Sequence, residues 1–189
     1  MKHIVLMSLC LLLSASVQAD VPPSFQPFEV KSSNERFLAE IRPDDADAAS
    51  REGSWTLRVY DLKAEKKELW SCPYLYRGYP GGQLTDDGKA FLYVEVWFYT
   101  DRPVIQVYRE GKEIAAISGK DLHISPDSRE KTVSHELWLK SGSDGQVKIR
   151  NEAKENESPR YRAYIPCRDG KTRIVDLQSG ELTLPWPLS

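Results

Sequence analysis

Beyond the first twenty residues the chain carries two histidines, His123 and His135, and each has a serine close by in sequence, Ser125 and Ser134. A secreted hydrolase needs a nucleophile, a base beside it and a carboxylate to orient that base. No Gly-x-Ser-x-Gly elbow is present to present such a serine. Metal chemistry fares no better. His123 with Asp121 and Asp127, or His135 with Glu136, falls short of a ligand set, because neighbouring residues on a strand point to opposite faces. Asp44, Asp45 and Asp47 crowd one segment but lack the glycine and closing glutamate of an EF-hand, and read as a solvated acidic loop. The expectation is no catalytic set, no metal and no cofactor.

The segment Tyr74 to Gly82, YLYRGYPGG, suits recognition instead. Rigid tyrosine rings offer large contact area with hydroxyl tips at small entropic cost, and arginine adds a charged fork. Tyr74, Tyr76, Arg77 and Tyr79 are therefore the predicted binding residues, for a protein or a glycan. The competing interpretation has the tyrosines covering a sheet edge beside Cys72. Cys72 and Cys167 are predicted to form one disulfide, since neither CxxC spacing nor clustered histidines suggest a redox or metal pair.

These residues need a scaffold, and its compartment is announced first. Lys2 precedes an apolar run from Ile4 to Leu13, and Val17-Gln18-Ala19 has the form of a cleavage site, so residues 1–19 read as a signal peptide cut after Ala19 and residues 20–189 as a single domain, secreted or periplasmic. Cys10 lies within the apolar run without the small residues that lipidation demands before it. No later segment approaches the length of a membrane span. With 26 basic and 28 acidic residues and no basic stripe, nucleic acid is not an expected partner.

Three prolines between Asp20 and Pro27 favour an extended lead-in. After it, short runs rich in β-branched and aromatic residues alternate with Gly, Asp, Asn and Ser clusters, which predicts strands and turns throughout. The runs are 35–41, 55–62, 67–71, 90–99, 104–108, 113–117, 132–140, 146–151, 160–165, 172–177 and 181–184. In the second, Trp55, Leu57 and Val59 alternate with polar residues, so one face is buried. Phe91-Leu92-Tyr93-Val94 is continuously apolar, which marks a central strand covered on both faces.

A repeat is visible as well. Lys31-Ser32-Ser33-Asn34-Glu35-Arg36-Phe37 aligns with Leu84-Thr85-Asp86-Asp87-Gly88-Lys89-Ala90, and more distantly with Ile124 to Arg129. Leu57 to Leu62 (LRVYDL), Ile105 to Tyr108 and Arg173 to Leu177 (RIVDL) follow as second strands. These motifs resemble the repeats of β-propellers of the WD-repeat and TolB-like kind, where a Ser-Pro-Asp-Gly type turn opens a blade and a Val-Tyr-Asp-Leu hairpin closes it. The stretch Thr132 to Trp138, preceded by Lys120-Asp121-Leu122, likewise looks like segments of secreted bacterial proteins without assigned activity. The resemblance implies an all-β fold of three antiparallel, blade-like units. Three units are fewer than closed propellers use, so the expected product is a partial or open array, with a β-sandwich as the alternative. The functional expectation is a noncatalytic binding module. The alternatives are an envelope hydrolase drawing on Asp86, Asp87, Asp127 and His123, and a subunit completing a larger β-assembly.

Overall fold

The computed structural model describes residues 22–45, 53–142 and 146–185. The predicted signal peptide and its cleavage site lie outside these residues, as do Asp47 and most of the acidic loop. Within them the chain is all-β, with four antiparallel sheets and no closed barrel.

The first sheet is a meander of β1 (Phe28–Lys31), β2 (Phe37–Pro43), β3 (Trp55–Asp61) and β4 (Lys67–Pro73). The second joins β5 (Gln83–Leu84), β6 (Ala90–Val94), β7 (Pro103–Arg109) and β8 (Lys112–Ser118) in the same manner. A two-stranded ribbon of β9 (Glu130–Lys131) and β10 (Glu136–Leu137) follows. The last sheet comprises β11 (Lys148–Asn151), β12 (Tyr161–Pro166), β13 (Thr172–Asp176) and β14 (Leu182–Thr183).

The expected faces are observed. Along β3 buried and partly buried residues alternate without a break. β6 faces two cores: Phe91 and Tyr93 join a cluster with Ile41, Trp55 and Leu57 of the first sheet, while Ala90 and Leu92 join a second with Ala163, Ile165 and Val175 of the last. β7 divides likewise, Ile105 and Val107 to one side and Tyr108 to the other. The second sheet is thus covered on both faces. Each fully buried Phe or Leu contributes roughly 1.5–3 kcal/mol to this packing.

The aligned turns are built alike, bond for bond. The Ser32 and Thr85 amides donate to the carbonyls of Phe37 and Ala90, both at 3.0 Å, and their hydroxyls accept the return amides, also at 3.0 Å. The Asn34 and Asp87 side chains accept from the amides of Arg36 and Lys89 at 3.1 and 3.0 Å. Glu35 and Gly88 occupy the same left-handed position, with φ of 56° and 70°. The third alignment does not hold. Pro126–Ser128 is a 3-10 turn leading into the β9–β10 ribbon, and the last sheet starts only at Lys148. Its first two strands are joined by a longer loop over residues 152–160.

The twofold occurrence of Asp-Leu also has a structural cause. Asp61 and Asp176 end β3 and β13, and each does two things. Arg36 forks onto Asp61 through Nη2 at 2.7 Å and Nε at 3.2 Å, and Arg160 reaches Asp176 at 3.2 and 3.3 Å. The other oxygen opens the next turn, accepting from the Lys63 amide at 2.9 Å, or from Gln178 and Ser179 at 2.9 and 3.2 Å. The middle sheet has a looser substitute, Lys89 with Glu110 at 3.8 Å.

Several expected strands are shorter than their runs, 90–99 and 132–140 by the most. β6 ends at Val94 because the Glu95 carboxylate accepts the amides of Val96 and Trp97, at 3.0 and 3.4 Å, and draws them from the ladder. Of the run 132–140 only Glu136–Leu137 is paired as a strand, with isolated bridges at Leu137 and Leu139. β1, β5 and β9 are two to four residues long and carry no alternation long enough to read.

Glu35→Gly should stabilise the chain by about 0.5–1 kcal/mol, because it relieves a left-handed conformation while adding some backbone entropy to the unfolded chain. Gly88→Ala should cost about 1–3 kcal/mol, since its Cβ would lie 2.5 Å from the Phe37 ring. Urea unfolding midpoints test both. The Arg36 hydrogen bond holds the Asp61 carboxyl below the usual range. Burial opposes ionisation of Asp176, but the Gln178 and Ser179 amides and Arg160 overcome it and leave that carboxyl lowered too. Both stabilise the fold above the ordinary carboxylate range, and that stability is lost as pH falls through their folded values. A double Asp61→Asn, Asp176→Asn variant should therefore lose less stability than the parent on acidification, measured by urea midpoints across the acid limb.

Candidate binding cleft

The side-chain alternation of β4 continues past its end. Cys72, Tyr74 and Tyr76 point inward while Pro73 and Leu75 are exposed. The expectation that Tyr74 and Tyr76 are exposed binding residues is thereby corrected. Tyr74 is 5% and Tyr76 4% exposed, and both belong to the core between the first two sheets. The Tyr76 ring packs on Trp55 at 4.6 Å and Phe28 at 5.3 Å, and its hydroxyl donates to the Ser24 carbonyl at 2.8 Å. Burial pushes the Tyr76 phenol up to about 12 and that of Tyr74 well above its ordinary value.

The proline-rich lead-in is fixed by the same contact. The Ser24 amide donates to the Gly78 carbonyl at 2.7 Å, and a Cβ at Gly78 would meet Pro23 at 2.6 Å. Gly78, at φ of +85°, is the residue that allows this approach.

Arg77 and Tyr79 are placed differently. Both are half-buried at the rim of a cleft of about 500 Å³, floored by Tyr76 and bounded by Tyr99, Arg102 and His135. Arg77 anchors one nitrogen on the Pro103 carbonyl at 2.9 Å, and its guanidinium lies 5.9 Å from the Tyr99 ring centre. Arg102 lies 5.8 Å from the same ring. Among the described residues neither arginine forms a salt bridge. Arg77 acts electrostatically on the Glu95 carboxylate, which is fully buried with the Tyr93 hydroxyl donating to it at 3.0 Å. Burial raises the Glu95 carboxyl above its ordinary value, against the pull of Tyr93 and the Trp97 amide. The cleft is therefore cationic and aromatic.

His135 completes one wall. A tight turn, in which the Thr132 amide donates to the His135 carbonyl at 2.9 Å, places its ring against Trp97 at 4.7 Å and nearly parallel. Trp97 in turn meets Tyr79 at 6.2 Å. Ser134 Oγ is 3.1 Å from His135 Nδ1, a contact between chain neighbours on that turn.

The residues considered for hydrolysis are not brought together. His123 is an exposed left-handed residue on a separate cleft with Ser125 and Asp169, Asp127 sits in the 3-10 turn, and Asp86 and Asp87 lie on the turn before β6. Among the described residues no three His, Cys, Asp or Glu side chains are grouped to hold a metal. Asp44 instead receives the Thr56 hydroxyl. Sequence reasoning missed Tyr99, Arg102 and His135 as partners of Arg77. No linear pattern joins positions 77, 99 to 102 and 135; the only hint was a tyrosine and an arginine shortly after an apolar run.

The expected disulfide is also corrected. Cys72 and Cys167 are free, buried thiols. Cys72 pairs with Leu57 in the core between the first two sheets, whereas Cys167 bridges to Leu139 in the core between the second and last. The doubly covered second sheet stands between those cores. Cys167 Sγ donates to the Ile165 carbonyl at 3.3 Å.

Comparison with family models, curated proteins and solved structures finds no match to this chain.

Burial pushes both thiols up to about 11. Neither should react with a thiol-specific reagent in the folded protein at neutral pH, and both should react in denaturant without prior reduction. Reagent uptake before and after unfolding, read by mass, checks this; a single reducible bridge would contradict it.

Proposed function

We propose that this protein is an exported, noncatalytic binding module whose three four-stranded sheets form an open, propeller-like array. Its partner is a protein segment that presents a carboxylate beside apolar side chains. The observation that carries this is the pair of arginines, Arg77 and Arg102, flanking Tyr99 without a carboxylate partner among the described residues. Charge-assisted, forked hydrogen bonds to a carboxylate are the interaction such guanidiniums make best.

The apolar surroundings favour a protein over a glycan. Of the four large apolar side chains exposed among the described residues, Leu75 lines the cleft, Val96 precedes Trp97, and Val133 lies in the turn that holds His135. Leu75 is the one of the four that lines the cleft, where it joins the apolar surfaces of Pro23 and Phe25. Export is supported by the charged start, apolar run and Val-Gln-Ala site of residues 1–19. Among the described residues no helix is long and apolar enough to cross a membrane. The array is supported by three four-stranded meanders, by the matching turns that open the first two, and by the Arg–Asp pairs in the outer two.

The test uses labelled peptides that combine Asp or Glu with Leu or Phe, their amide counterparts, and a uronic-acid oligosaccharide. Acidic peptides should bind, and an Arg77→Ala, Arg102→Ala double variant should weaken binding at least about tenfold, the loss expected for one or two charge-assisted hydrogen bonds. Equal binding of the amide peptides, unchanged affinity in the double variant, or binding of the oligosaccharide alone would overturn the proposal.

A further inference from the structure

A second cleft lies on another part of the molecule, where the first strands of the three four-stranded sheets meet. Its walls come from β1 (Val30 and Lys31), β5 (Gln83 and Leu84) and β11 (Ile149 and Asn151), with a volume of about 480 Å³, within the roughly 300–1,000 Å³ of small-molecule sites.

Hydrogen bonds between units fix this geometry. The Asn34 amide donates to Asp86 Oδ1 and its side-chain nitrogen to the Asp86 carbonyl, both at 2.8 Å, which locks the first turn to the second. Gln83 Nε2 donates to the Val147 carbonyl at 2.7 Å and ties the second sheet to the last. The Asn151 side-chain oxygen is held by the amides of Ala153 and Arg160, at 3.1 and 3.0 Å.

Once these bonds are made, the capacity that remains is mixed. Among the described residues Asp86 Oδ2 has no donor, and the Asn151 amide nitrogen, the Ser33 hydroxyl and the Lys31 ammonium have no acceptor. Tyr161, 7% exposed, also lines the cleft. Burial and the nearby Asp87 and Asp86 raise its phenol to about 12, so it remains a donor at neutral pH. Lys31 and Asp86 offset each other in charge without forming an ion pair. A phosphate would face Asp86, a divalent cation would find a single carboxylate, and an apolar ligand would strand every one of these groups.

We infer that this convergence cleft is a binding site for a neutral, polyhydroxylated ligand, a saccharide, with Asp86 as acceptor and Asn151, Ser33, Lys31 and Tyr161 as donors. Hydroxyl groups donate and accept at once, and so can answer a mixture of both kinds held on hydrogen-bonded turns and strand ends. The site is independent of the cationic cleft and of whatever binds there.

The test titrates the purified chain with glucose, N-acetylglucosamine and cellobiose, read by amide chemical shifts. At least one should give saturable, millimolar binding with shifts centred on Asn34, Asp86 and Asn151. Asp86→Asn keeps the oxygen that receives the Asn34 amide, and Tyr161→Phe removes only a hydroxyl, so both variants retain the fold. Each should weaken binding about tenfold, the effect of one lost hydrogen bond, while Arg77→Ala should leave it unchanged. The inference is overturned if none of the three sugars shifts these amides, if both variants bind as the parent does, or if glycine, a zwitterion matching Lys31 and Asp86, binds in preference.

Discussion

Burial of the second sheet on both faces is the constraint on which the rest of the molecule depends. β6 and β7 divide their side chains between two cores, one shared with the first sheet and one with the last. A sheet in that position has no solvent face on which to leave polar groups. Several of its polar groups are bonded internally: Gln106 Nε2 donates to the Tyr108 hydroxyl at 2.8 Å and Tyr93 donates to Glu95, whose carbonyl receives Trp138 Nε1 at 2.8 Å, while Gln106 Oε1 is buried without a partner. Both clefts draw on this sheet or its flanking loops.

Around that centre the outer sheets are closed by the same device. A side chain that completes a turn also anchors the arginine just ahead of the preceding strand, so one carboxylate ties together both ends of the hairpin. Surface ion pairs alone stabilise little. Here the carboxylates are nearly buried and bonded to backbone amides as well, which gives them a geometric role beyond charge.

Much of this was legible in the sequence because it rests on period-two patterning and on turn chemistry, both of which are local. The alternation of Trp55, Leu57 and Val59, the continuous run at Phe91, and the match between Ser32–Phe37 and Thr85–Ala90 all reappear as burial and hydrogen bonds. What failed was non-local. The composition of Tyr74 to Gly82 suits a recognition loop, yet the alternation of β4 carries on through Pro73 and turns Tyr74 and Tyr76 into the core. Cys72 and Cys167 were paired by counting, which ignores the sheet between them. The clustering of Arg77, Tyr99, Arg102 and His135 depends on how three segments meet, and no spacing along the chain encodes that.

The separate burial of the two sulfhydryls bears on the order of events during folding. Each is closed off once its own core has packed, so either thiol is open to crosslinking only while its core is unformed. A premature bond between them would hold together two segments that the native topology keeps on opposite sides of a wall, trapping the chain short of its native state. Packing on either side of the second sheet, rather than a covalent tether between these two residues, holds the architecture.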